Sequence, residues 1–129
     1  MKVLVADAEN QHLFLMELFL KKWGYPVCSV DNGAEALHLL ETETEPCIAI
    51  LDWELPGCTG LEIARRVKAS GRRNIYIILL TARTQAKERA EAAAAGIDLF
   101  MAKPYEPDEL RQALAAGGRR LEKPAGSPA

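Results

Sequence analysis

Ile48-Ala49-Ile50-Leu51-Asp52-Trp53-Glu54-Leu55-Pro56-Gly57 is the stretch that decides the fold of this 129-residue chain. Four apolar residues run into a carboxylate, and a Pro-Gly turn follows. A short apolar run bounded by a turn signal predicts a buried strand. Asp52 then stands at the carboxyl end of that strand, the edge at which open α/β sheets build their sites. A carboxylate placed there is a candidate nucleophile for carrying a phosphoryl group.

Working outward, the same pattern recurs. Residues 3–6 form an apolar run that ends at Asp7. Asn10 is expected to cap a helix over 11–23, with Leu15, Met16, Phe19, Leu20 and Trp23 as its core stripe. Phe14 and Leu18, spaced i and i+4, fall on another side of that helix and are surplus to the stripe. Residues 26–30 read as a second strand, followed by an Asp31-Asn32-Gly33 turn. A helix over 34–43 turns Ala36, Leu37 and Leu40 inward. The third strand spans 47–51. Thr59 caps a helix over 60–70, with Leu61, Ala64 and Val67 inward. Residues 75–80 are apolar throughout, predict a strand buried on both faces, and end at Thr81. An Ala-, Glu- and Arg-rich helix spans 85–95. Residues 99–102 make the fifth strand, followed by Lys103-Pro104. The last helix begins at Pro107 and is expected to stop near Ala116, before Gly117-Gly118. Residues 118–129 read as a flexible tail or linker, which leaves 1–117 as the folded domain.

Five strands alternating with five helices predict an α/β fold, a doubly wound five-stranded parallel sheet with helices on both faces. A strand order of 2-1-3-4-5, the flavodoxin-like order, puts strands 1 and 3 at the switch point. Asp7, Asp52, Thr81 and Lys103 then end four of the five strands at one edge. Each alone is an ordinary turn, cap or surface residue. Together they call for a common cause.

Composition narrows the classes. A net charge of −2 provides no basic footprint for nucleic acid. The longest apolar run is too short to span a membrane. The N-terminus lacks a signal-peptide layout, and the three cysteines are odd in number without metal spacing, so a cytoplasmic protein with reduced thiols is expected. Cys28 and Cys47 are expected as small core residues, and Cys58 lies on the loop after Asp52.

Met1-Lys2-Val3-Leu4-Val5-Ala6-Asp7-Ala8-Glu9, Leu51-Asp52-Trp53-Glu54-Leu55-Pro56-Gly57, Leu79-Leu80-Thr81-Ala82 and Met101-Ala102-Lys103-Pro104-Tyr105 resemble the motifs of the receiver domain of two-component response regulators. The resemblance covers about residues 1–117. It implies that Asp52 is the phosphoacceptor, that Thr81 and Lys103 are phosphate ligands, and that Asp7 belongs to an acidic Mg²⁺ site. Phe100 takes the place of the switch aromatic. The implied partners are a histidine kinase or histidine phosphotransfer protein, an output domain beyond 129 or a separate target, and a second copy in a homodimer. The implied role is signalling by phosphorelay; the only reactions promoted are the domain's own phosphoryl transfer and dephosphorylation.

The chemistry of the residues agrees with that implication. Phosphoryl oxygens require a divalent cation, an ammonium and a hydroxyl donor. Mg²⁺ takes carboxylate, carbonyl and water oxygens, which Asp7, Asp52 and the backbone carbonyl of Glu54 supply. One position departs from the family: its usual pair of adjacent acids here reads Asp7-Ala8. Weakened Mg²⁺ binding is therefore expected. Glu54, two residues past the nucleophile, is placed to repel or reposition the attacking water. Glu9 is expected to point away from the metal. Arg83, Lys87 and Glu91 are expected to give polarity to an Ala-rich helix 4 face. The Phe14 and Leu18 pair is a candidate docking patch for the phosphodonor.

Three other readings compete. One is an atypical receiver-like interaction module that signals without phosphorylation, favoured by Ala8. Another is a small phosphohydrolase, since Asp52-Trp53-Glu54 loosely resembles an Asp-x-Asp motif, although the chain leaves no room for a substrate-covering insertion. A flavin-binding module is disfavoured because Asp7 and Glu9 would repel phosphate.

Overall fold

A computed structural model describes residues 1–122. Its elements are β1 (Lys2–Ala6), α1 (Asn10–Lys22), β2 (Val27–Val30), α2 (Gly33–Thr42), β3 (Cys47–Asp52), α3 (Gly60–Ala69), β4 (Ile75–Thr81), α4 (Ala86–Ala95), β5 (Leu99–Ala102) and α5 (Pro107–Glu122). All strands are parallel, in the order β2-β1-β3-β4-β5.

The period-2 alternation of a strand sends neighbouring residues to opposite faces. Leu4, Ala49, Leu51, Ile77 and Leu79 pack in one core, together with Leu37 and Leu40 of α2, Leu61 and Ala64 of α3 and Ala92 of α4. Val3, Val5, Ile48, Ile50, Ile78 and Leu80 pack in the other, against Met16 and Leu20 of α1 and Leu110 and Leu114 of α5. With helices on both sides, β3 and β4 are buried at every position, which is why they read as unbroken apolar runs.

Several expectations need correction. Helix α1 starts one residue early: Glu9, not Asn10, is its N-cap, and no side chain caps it. Its buried stripe is narrower than expected. Met16 and Leu20 are buried, and Leu13 and Trp23 are half-buried. The spacing 13, 16, 20, 23 is the line that faces the sheet. Leu15 lies off that line and is 48% exposed, beside Phe14 at 63% and Leu18 at 49%. Phe19 is half-buried and stacks on Trp23 with ring centroids 5.5 Å apart.

Cys28 is exposed, because β2 is an edge strand whose outer face has partial cover. Cys47 is buried, and burial pushes its thiol up to about 11. Cys58 is half-buried, and all three thiols are free.

Helix α5 does not stop at Gly117-Gly118 but continues to Glu122. A Cβ on Gly117 would lie 2.7 Å from the Tyr76 ring and 3.2 Å from Ile48 Cδ1. The glycine is thus a notch that brings the helix close to the sheet, rather than a stop signal. The Arg120 guanidinium then reaches Asp98 at 2.9 Å and the Ile75 carbonyl at 2.7 Å. Residues 118–122 of the expected tail belong to α5; the rest of that tail lies outside the described residues.

Candidate functional site

The switch point lies between β1 and β3, where Ala6 pairs with Leu51. Asp7 follows β1 and Asp52 ends β3. Thr81 ends β4 and pairs with Ala102, which puts Lys103 next to it; the Lys103 N–H donates to the Thr81 carbonyl at 2.9 Å. The four expected residues therefore meet at one edge. Asp7, Asp52 and Thr81 are 4%, 7% and 1% exposed, and Asp7 and Asp52 are the only buried charged side chains among the described residues. Groups so costly to bury must be paired.

The pairing is specific. Lys103 Nζ donates to Asp52 Oδ2 at 2.7 Å and lies 3.9 Å from Asp7 Oδ2. Asp52 Oδ1 accepts the Glu54 N–H at 3.2 Å, and Asp7 Oδ1 accepts the Glu9 N–H at 2.9 Å. Burial pushes the Asp7 carboxyl above its ordinary value, opposed by the Glu9 N–H and the Lys103 charge. Thr81 Oγ1 accepts the Arg83 N–H at 2.9 Å, which leaves the hydroxyl proton free to donate. Among the described residues no group of three His, Cys, Asp or Glu side chains is gathered to hold a metal. Asp7 and Asp52 alone are a two-carboxylate, hard-oxygen set, which suits Mg²⁺.

A cleft of about 220 Å³ lies over Asp52, Thr81 and Lys103, and Ala8, Glu9, Glu54 and Arg83 also line it. Glu9 lines this cleft, and its carboxylate lies 3.3 Å from His12 Nδ1 on α1. His12 also lies 3.7 Å from Asp7 and was missed by the sequence reading. Arg83 was expected on helix 4. It instead lies in the loop before α4, paired with the Glu54 carboxylate, its guanidinium 5.1 Å from the centroid of the Trp53 ring. The symmetry of the two positions was a usable signal: Glu54 is two residues past Asp52, and Arg83 two past Thr81.

The remaining expected residues lie apart from the cleft. Phe100 on β5 is half-buried, with the Arg89 guanidinium 4.6 Å over its ring. Arg89 Nε also donates to the Thr84 carbonyl at 3.1 Å, linking the ring to the loop that leaves Thr81. Phe14 and Leu18 stand on the open side of α1. A groove of about 340 Å³ runs from Asp7 and Lys103 past His12, Leu15, Phe19 and Tyr105, joining that helix to the cleft.

The sequence model described as the response regulator receiver domain matches residues 3–115. The chain belongs to that family. This receiver domain is 34% identical to the transcriptional regulatory protein TctD of Salmonella typhimurium over 93% of its own length. It is 33% identical to the phosphate regulon transcriptional regulatory protein PhoB of Pseudomonas aeruginosa over 92%. It spans 53% and 52% of those two proteins, about half the length of the curated relatives it matches. The receiver domain of sensor histidine kinase PA1611 from Pseudomonas aeruginosa superposes with a TM-score of 0.79 at 27% identity, covering 95% of this chain and 98% of that one. That structure holds a magnesium ion in its active-site cleft. The Francisella response regulator 1452 receiver domain shares the fold, with a TM-score of 0.83 at 24% identity and coverage of 92% and 97%. The receiver domain is a module of two-component phosphorelay signalling. No helix among the described residues is long and apolar enough to cross a membrane.

Proposed function

We propose that Asp52 is the phosphoacceptor of this receiver domain. The observation that carries the reading is the Lys103 ammonium 2.7 Å from a nearly buried Asp52 carboxylate, with the Thr81 hydroxyl lining the same cleft. In transfer from a phosphohistidine donor, an Asp52 oxygen forms a bond to phosphorus as the P–N bond breaks. The electron pair stays with the leaving imidazole, which takes up a proton. Lys103 compensates the charge on the phosphoryl oxygens and Thr81 donates its hydroxyl proton to one of them. Hydrolysis by water returns the free carboxylate and inorganic phosphate. The domain thus promotes its own phosphorylation and dephosphorylation. The receiver-family match favours this reading over the phosphohydrolase, and the retained Asp52, Thr81 and Lys103 favour it over the phosphate-independent module. Mg²⁺-dependent labelling by acetyl phosphate tests the reading.

Asp7, Asp52 and the Glu54 backbone carbonyl are the residues that would hold Mg²⁺. The ion, when bound, neutralises developing charge on the phosphoryl oxygens. Ala8 withholds a carboxylate from the cleft wall, so binding is weak. Ala8→Asp tightens Mg²⁺ binding about tenfold, equivalent to ~1.4 kcal/mol. Titration calorimetry of the native chain and the variant checks this, and an unchanged affinity rejects it.

Phosphorylation is read out when Thr81 moves toward the phosphoryl group and Phe100 packs into the vacated space, a shift between two packings. The domain acts in the cytoplasm, and its partners are a histidine kinase or histidine phosphotransfer protein, an output domain or separate target, and a second copy on dimerisation. Phe14 and Leu18 are the donor's docking patch, supported by their exposure and by the groove that joins α1 to the cleft. Phe14→Ser with Leu18→Ser slows transfer from a phosphohistidine protein at least about tenfold, as expected for lost apolar anchors. Labelling by acetyl phosphate, which needs no docking, stays at the native rate. Equal rates with both donors dispose of the patch.

A further inference from the structure

Arg83 is the one cation in the cleft besides Lys103, and nothing above assigns it a role. Its backbone N–H is bound to the Thr81 hydroxyl oxygen, so the residue starts inside the site. Its guanidinium is placed by two contacts, the Glu54 carboxylate and the face of the buried Trp53 ring. Glu54 and Arg83 side chains are 60% and 46% exposed, and an ion pair so open to water is weak. The aromatic contact holds the cation at the cleft mouth without consuming its N–H donors. A guanidinium carries five donors in a planar fork, and the contact with Glu54 uses Nη2.

Phosphorylation changes the competition for that cation. Asp52 carries one negative charge before transfer and a phosphoryl group afterwards, with up to two charges on its terminal oxygens. Lys103 already compensates Asp52, and Asp7 adds a further negative charge nearby. With Ala8 in place of an acid, Mg²⁺ is less available to balance the added charge. The guanidinium of Arg83, the second cation in the same cleft, supplies the missing positive charge, and its fork geometry matches phosphoryl oxygens.

We propose that Arg83 is a phosphoryl-binding residue, held in reserve by Glu54 and turning to the phosphoryl oxygens as transfer occurs. This rests on Asp52 as the phosphoacceptor. Glu54 thereby acts as a competitor that restrains Arg83 in the unphosphorylated state.

The test measures the rate of phosphorylation by acetyl phosphate in the full chain, at limiting and saturating Mg²⁺, with Asp52→Asn as the blank. Arg83→Ala lowers the rate about tenfold at limiting Mg²⁺ and less at saturating Mg²⁺, the size expected for one charge-assisted phosphoryl contact. Arg83→Lys, which keeps the charge and loses the fork, recovers part of the rate. Glu54→Ala raises the rate severalfold, and the gain vanishes in the Glu54→Ala, Arg83→Ala double variant. Unchanged melting temperatures keep these effects apart from folding. Arg83→Ala labelling at the native rate overturns the proposal, as does a Glu54→Ala gain that persists without Arg83. A native chain that takes no label at all overturns the phosphoacceptor reading itself, and the role of Arg83 with it.

Discussion

Asp52→Asn lowers phosphorylation by acetyl phosphate or a phosphohistidine protein to background, with the fold intact. The amide is nearly isosteric with the carboxylate but has no charged oxygen lone pair to attack phosphorus. It also takes a negative charge away from the edge where Mg²⁺ would sit. Stability changes little, because two effects oppose. Lys103 loses a charge-assisted bond at 2.7 Å, although the amide oxygen still accepts from it, while Asp7 loses a like-charged neighbour. The net change should stay within ~1 kcal/mol for a pair whose lysine remains partly exposed. Intact-mass spectrometry reads the adduct and thermal unfolding reads the fold. An adduct on Asp52→Asn at the native level would move the acceptor elsewhere.

Gly33→Ala is expected to destabilise the domain by about 1–3 kcal/mol, the range for forcing atoms into a packed site. Gly33 opens α2, and a Cβ there would lie 1.6 Å from the Cys58 carbonyl oxygen and 2.6 Å from its carbonyl carbon. These are backbone atoms, so no rotamer change relieves the clash. Either α2 or the loop between β3 and α3 must move. The Gly33 N–H also donates to the Pro56 carbonyl at 2.8 Å, tying the helix to that loop. The loop begins at Trp53 and carries the Glu54 carbonyl, so displacement also lowers the phosphorylation rate. Gly118→Ala is the matched control: its Cβ meets nothing within 4 Å, and helix propensity favours alanine by up to ~1 kcal/mol. Comparing the two melting temperatures checks the argument. A neutral Gly33→Ala would mean the loop yields freely.

The convergence of the site residues was legible because parallel strands buried on both faces leave a plain trace in sequence. Their apolar runs end abruptly, and the ends of β1, β3, β4 and β5 lead into Asp7, Asp52, Thr81 and Lys103. The alternation of elements allows few sheet orders, and the observed order brings those ends to one edge. Sequence alone thus determined the fold class and the four convergent residues, and its resemblance to the receiver family marked Ala8 as a departure from the usual pair of acids.

Other features depended on where each element sits and what lies beside it. Cys28 is exposed because β2 is at the edge, and Leu15 because only one line of α1 faces the sheet. Both are apolar or small residues in regular elements, and periodicity does not report lateral position. Gly33 and Gly117 read locally as a turn and a stop. Their reason is the close approach of the Cys58 backbone and the Tyr76 ring, from chain segments far away in sequence. The Arg83–Glu54 pair likewise joins the loops after two different strands. Where a strand ends and which residue follows is local information, and the sequence carries it. Which backbone crosses a glycine, and which cation meets which acid over the cleft, is set by packing between distant segments, and only the tertiary structure decides it.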